Sequence, residues 1–114
     1  MHLPNHLCRH RKRYALTQRE IAQFLGVDPS TVSRVEAGAE PNALFALGCG
    51  YLFGEPLTEV FPSLVAQMRA TVIPQLATFS IKVETEAGAA ADLRRQFLAQ
   101  IVARENEQVD RAGV

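Results

Sequence analysis

Between residues 17 and 29 the chain has little choice of conformation. Thr17 and Glu20 are spaced as a capping box: the hydroxyl takes an orphan backbone N–H and the carboxylate reaches back to the cap. Gly26 then stops the helix, because glycine enters the left-handed region without strain. Asp28 is a good N-cap, and Pro29 suits the first position of a second helix, where its missing N–H costs nothing. The spacing therefore predicts two short helices joined by a tight glycine-centred turn. Ile21, Ala22 and Leu25 form the inward stripe of the first, and Val32 and Val35 that of the second. Ala22 is small enough to let the second helix cross closely.

Helix signals continue on both sides. A preceding helix is expected over about Pro4 to Arg13, with Leu3, Leu7 and His10–Arg11 at helical spacing and Tyr14 closing the stripe. Gly38 is expected to end the helix that Pro29 opens, and Asn42 to cap the next, over about Ala43 to Phe53. That helix contains Gly48 and Gly50, each costing about 1 kcal/mol against alanine. Packing must hold it, or its backbone must approach something closely. Gly54-Glu55-Pro56 makes a turn, and Leu57 to Phe61 a short helical turn stopped by Pro62. Beyond it, Leu64, Val65, Met68 and Val72 form an amphipathic stripe that Pro74 is expected to interrupt or kink. Residues 76–83 fit helix or strand, and helix is favoured. Gly88 to Ala91 reads as a break before a final helix, about Ala90 to Gln108, with a frayed tail from Asp110. This helix carries Leu93, Phe97 and Ile101 on one side, with Leu98 and Val102 beside them.

Composition agrees with an all-α chain. Of 114 residues 47% are apolar, too many for a wholly disordered chain, and with no Trp the core must be mostly aliphatic. The net charge is zero, yet residues 1–36 carry six basic and three acidic side chains (+3), and residues 37–114 six basic and nine acidic (−3). A basic first third suits a nucleic-acid contact at that end. Cys8 and Cys49 form no CxxC pair and read as reduced thiols. No apolar run approaches the roughly 18 residues of a membrane span, and the first residues lack the apolar region of a signal peptide, so a cytoplasmic protein is expected. His2, His6, Cys8 and His10 are of zinc-ligand type, but Cys8 falls on the face opposite His6 and His10, and a polar helix surface is the better reading. Neighbouring arginines favour a reactive Cys8 thiol, but no resolving cysteine is evident. No catalytic arrangement and no phosphate-binding glycine loop is present, so neither an enzyme nor a cofactor is implied.

The stretch Leu16 to Gly38 resembles the Cro/cI-type, or XRE-like, helix-turn-helix family: Leu16-Thr17-Gln18 opens one helix, Leu25-Gly26-Val27 makes the turn, Ser30-Thr31-Val32-Ser33-Arg34 lies on the next, and Glu36-Ala37-Gly38 closes it. Leu52 to Phe61 is similar to the family's fifth-helix ending. The resemblance covers residues 3–61. It implies a five-helix lambda-repressor-like domain over residues 1–61, and the apolar stripe beyond it reads as a helical dimerisation or partner-binding extension over 62–114. It also implies a sequence-specific DNA-binding transcriptional regulator, a dimeric repressor or autoregulator on a pseudo-palindromic operator of double-stranded DNA. The alternative is an antitoxin-like module whose C-terminal half sequesters a second protein. No membrane partner is expected.

Pro29, Ser30, Ser33 and Arg34 are left outward and are expected to face bases, with Arg34 able to donate twice to guanine. Gln18 matches the family position that contacts the DNA backbone. Thr17 (chiefly a cap), Thr31, Arg19 and Asn42 are further phosphate candidates, whereas Arg9, Lys12 and Arg13 read as solvated charges. Arg11 and Glu36 fall on family positions that pair as a partly buried salt bridge. Leu93, Phe97 and Ile101 are the candidate dimer or partner interface. The chain departs from the family at His10, usually aliphatic, at Ala39-Glu40, often basic, and at Gly48 and Gly50. Fewer basic residues in that loop mean weaker phosphate affinity.

Overall fold

In a computed structural model, which describes residues 4–112, every regular element is helical: α1 (Leu7–Arg13), α2 (Gln18–Leu25), α3 (Pro29–Glu36), α4 (Ala43–Phe53), α5 (Leu57–Val60), α6 (Pro62–Glu84) and α7 (Ala89–Ala112). The chain divides into two compact units, Met1–Arg69 and Ala70–Val114. No described helix is long and apolar enough to cross a membrane.

The first unit closes around one core. Leu7, Ile21, Val32, Cys49, Val60 and Phe61 are fully enclosed, and Ala22, Val35, Phe45, Ala46 and Phe53 complete it. Leu64 packs against this core, which draws the first part of α6 into the unit. α1 begins three residues later than the periodicity suggested, because the preceding groups are engaged elsewhere. The Asn5 side chain accepts the Leu7 N–H and donates to the Val35 carbonyl, while the His6 N–H bonds Val60. These bonds tie the chain entry to α3 and α5.

Three consecutive helix ends share one device. After α2 and α3, the chain turns through Gly26 and Gly38 at positive φ, and the next N–H (Val27, Ala39) reaches back five residues to Ala22 and Arg34. After α1 the same bonds form, Ala15 to Lys12 and Leu16 to Arg11, but the left-handed residue is Ala15 at φ 55°. At the start of α3 the Asp28 side chain makes no capping bond, contrary to expectation; its carbonyl instead accepts the Thr31 N–H. The capping box of Thr17 and Glu20 is complete.

α4 explains both of its glycines. A Cβ on Gly48 would lie 2.4 Å from Cδ2 of Leu25, and one on Gly50 3.3 Å from the Glu55 carbonyl oxygen. The helix backbone therefore lies directly on α2 and on its own exit turn. His10, expected on a polar surface, is instead buried at 4% exposure, its ring 5.6 Å from that of Phe53. The imidazole fills the position of an aliphatic core residue, and its Nδ1 has no hydrogen-bond partner. His2 lies outside the described residues.

The second unit is a hairpin of the later part of α6 and α7. α6 runs unbroken through Pro74 and covers residues 76–83 as helix. The expected break lies earlier, over residues 85–88, so that α7 starts at Ala89, and the helix extends to Ala112. Arg95 closes the turn by donating to the carbonyls of Val83 and Glu86, and Arg94 lies over the Phe79 ring and pairs with Glu86. Among the described residues of this unit only Val83 and Ala91, both beside the turn, are buried. Farther along, the helices leave an apolar groove of about 340 Å³ lined by Ile73, Leu76, Ala77, Leu98, Ile101 and Val102, with Ser80 and Glu105. The stripe foreseen on the last helix divides: Ile101 lines this groove, whereas Leu93 and Phe97 are 66% and 48% exposed.

Ala15 provides a test of the turn. An L-residue in the left-handed region carries a steric penalty that glycine avoids, offset in part by glycine's larger unfolded-state entropy. Ala15→Gly should raise the stability of the first unit by about 0.5–1 kcal/mol, read as a higher denaturant midpoint at unchanged slope. An unchanged or lower midpoint would mean that the turn carries no such penalty.

Candidate nucleic-acid interface

The orientation of α3 is fixed from behind. Arg11 donates from Nε and Nη2 to the two carboxylate oxygens of Glu36 at 2.7 and 3.1 Å, and from Nη1 to the Leu16 carbonyl at 2.8 Å. Gln18 Nε2 adds a third bond to Glu36 Oε1 at 3.0 Å. One carboxylate at the end of α3 thus gathers α1, the α1–α2 turn and the start of α2. The two charged side chains keep only 12% and 8% of their surface. Burial pushes the Glu36 carboxyl upward, but the hydrogen bonds from Arg11 and Gln18 and the Arg11 charge outweigh it, so its pKa lies below the ordinary value near 4.5. Hydrogen bonding to Glu36 raises Arg11 in turn, against its own desolvation. Nearby, burial and the Glu36 charge push the Cys49 thiol up to about 12, which keeps it protonated and unreactive. Cys8 Sγ sits 3.6 Å from Arg11 Nη2.

With Val32 and Val35 locked inward, the opposite face of α3 is free. Pro29, Ser30, Ser33 and Arg34 are all exposed on it. Arg34 lies in the last turn of the helix, where its Nη2 reaches Thr31 Oγ1 at 3.3 Å. This weak, exposed bond is easily exchanged for a stronger acceptor. The two serines are short donors, and Pro29 offers only apolar contact. Such a helix can enter the major groove of B-DNA, where a guanidinium meets O6 and N7 of guanine.

The phosphate candidates fare differently. Thr17 is spent in the capping box, with Oγ1 accepting from Glu20 at 3.1 Å. The Gln18 amide is committed to Glu36, a role that its sequence position did not disclose. The box uses the N–H groups of Thr17 and Glu20, which leaves the main-chain donors of Gln18 and Arg19 at the open end of α2, as suits an anion. Asn42 accepts from Phe45 at 2.8 Å to cap α4 through its carbonyl oxygen, keeping its amide group for a second contact. Arg19 is exposed, and so are Arg9, Lys12 and Arg13 on α1.

The clamp predicts an acid-sensitive domain. Because Glu36 has a lower pKa folded than unfolded, its stabilisation is complete above about pH 4.5 and is lost as the pH falls through the depressed value. Glu36→Ala strands the Arg11 guanidinium and should cost about 2–3 kcal/mol near pH 7, less than a fully buried pair because some solvent remains. The penalty should shrink as the pH falls below 4, which thermal melts at several pH values would show. A pH-independent penalty would contradict the role of the carboxylate.

Residues 9–48 match the family model described as Helix-turn-helix. No curated protein and no solved structure matches the chain. The capped helix pair, its glycine turn and the exposed face of α3 lie inside the matched segment, which is similar to the helix-turn-helix of Cro/cI-type DNA-binding regulators.

Proposed function

We propose that the protein is a dimeric, sequence-specific repressor or autoregulator, with α3 reading bases through Arg34, Ser30, Ser33 and the Pro29 ring. Supporting the base-reading role is the contrast between the two arginines of the motif. Arg11 is fully engaged behind α3, whereas Arg34 stands exposed in front of it with one weak bond. Gln18 and Arg19, through their main-chain N–H groups at the open end of α2, serve with Thr31 and the Asn42 amide as phosphate contacts, while Thr17 acts as the cap. These contacts fix the register without carrying sequence information.

Supporting dimerisation is the unfinished second unit. Val72, Ile73, Ile81, Leu93, Phe97 and Val102 remain between 41% and 69% exposed. A lone helical hairpin cannot bury such faces, and two hairpins from two chains make a four-helix bundle. Pairing two α3 helices in this way would set half-sites about 34 Å apart, one DNA turn. Two moderate half-site affinities then combine, which compensates for the acidic Ala39-Glu40 loop.

Two measurements test this reading. Selection of bound sequences from random duplex DNA at near-physiological salt should return a two-fold symmetric motif. Arg34→Ala should lose about 1–3 kcal/mol of discrimination at one base pair per half-site, with an unchanged melting temperature. Equal specificity in the variant would remove Arg34 from base reading. Light scattering of the full chain should give a dimer that Leu93→Gln/Phe97→Gln converts to monomer. A wild-type monomer would instead favour the reading in which the hairpin takes up a different protein.

A further inference from the structure

α4 is apolar all the way round. Its sequence, Ala-Leu-Phe-Ala-Leu-Gly-Cys-Gly-Tyr-Leu-Phe, contains no charged residue. A helix of that composition is normally enclosed on every side. Here one side is: Phe45, Ala46, Cys49 and Phe53 are buried, and Gly48 and Gly50 bring the backbone onto Leu25 and the Glu55 carbonyl. The helix is therefore fixed about its own axis and cannot turn its other side inward. That side presents Leu44, Leu47 and Tyr51, at i, i+3 and i+7, with exposures of 82%, 62% and 88%. Three large apolar side chains on one stripe mark an interaction surface rather than scattered exposure.

Charge identifies the kind of occupant. From Val35 to Met68 the chain has no Lys, Arg or His, and its charged residues there are Glu36, Glu40, Glu55 and Glu59. Glu36 is consumed by Arg11 and Gln18. Glu40 precedes the N-cap of α4, Glu55 follows Gly54 at its other end, and Glu59 is exposed on α5. This stretch offers no cation to an anionic ligand on the α4 face. A second copy of the same face is disfavoured as well, since a two-fold contact would bring these carboxylates together without a cation. We propose that the Leu44–Leu47–Tyr51 face of α4 is a docking site for an amphipathic helix of a partner protein, whose apolar stripe is flanked by lysine or arginine. The apolar stripes supply the buried area, and the basic flanks meet Glu40, Glu55 and Glu59, setting specificity and the rate of encounter.

The test is selection from a display library of helical peptides against the full-length protein, repeated on the Leu44→Gln/Leu47→Gln/Tyr51→Gln variant. All three side chains are exposed, so the variant should keep its melting temperature and its DNA affinity. The expected result is enrichment of peptides with apolar residues at i, i+3/i+4 and i+7 flanked by Lys or Arg. Their affinity should fall at least about tenfold for the variant and weaken with added salt. No enrichment, enrichment without a basic bias, or equal binding by the variant would overturn the proposal. Conversion of a wild-type dimer to monomer by the same substitutions would overturn it too, by assigning the face to a second copy.

Discussion

One carboxylate organises the DNA-facing half of this protein. Glu36 accepts two bonds from Arg11 and one from Gln18, and so joins the end of α3 to α1 and to the first turn of α2. Arg11 contributes equally to the turn it precedes. Its carbonyl accepts the N–H groups of Tyr14 and Leu16, while its Nη1 donates to the Leu16 carbonyl. A guanidinium with these acceptors already matched has little to offer a ligand. Its value lies in joining three segments, which fixes how α3 packs and which of its faces stays exposed. Burying such a pair brings modest net stability, because desolvation offsets the attraction, but losing either partner is costly. The interaction is thus better understood as specifying geometry than as adding strength.

Local chemistry decides what can be foreseen from sequence. The capping box at Thr17, the stop at Gly26 and Pro29 at the start of α3 are short-range devices, legible because cause and effect lie within a few residues. The outward face of α3 follows from them once Val32 and Val35 are assigned inward. Ala15 was not legible, because alanine carries no signal for the left-handed conformation that the Arg11 bonds impose on it. His10 gives two signals: its spacing places it on the Leu7 stripe and its polarity suggests a surface, and packing against the distant Phe53 decides for the core. The resemblance assigns Gln18 to the DNA backbone, while its partnership with Glu36 depends on the packing of α2 against α3. Gly48 and Gly50 posed a question that only the neighbouring backbone and Leu25 answer.

The extension is less legible because its pattern is weaker. α6 and α7 spread their apolar residues around the helix instead of concentrating them on one stripe, and among their described residues Val83 and Ala91 alone are buried. Periodicity then cannot locate a single inward face, which is why residues 76–83 fit two conformations and the Leu93–Phe97–Ile101 stripe divides. The same spread is what a hairpin needs if it is to meet a further pair of helices. Two apolar surfaces therefore remain for partners: the hairpin, proposed to meet a second copy, and α4, where the flanking glutamates favour a basic partner.

The most direct measurement is the backbone amide spectrum of the full chain as a selected duplex is added. If α3 is held forward by the Glu36 clamp as the reading element, the shifts should concentrate at residues 29–34. Smaller changes should appear at the open end of α2 and at Asn42, with Leu44, Leu47, Tyr51 and the hairpin silent. Shifts centred on α4 or on α6 and α7, with α3 unchanged, would contradict the account.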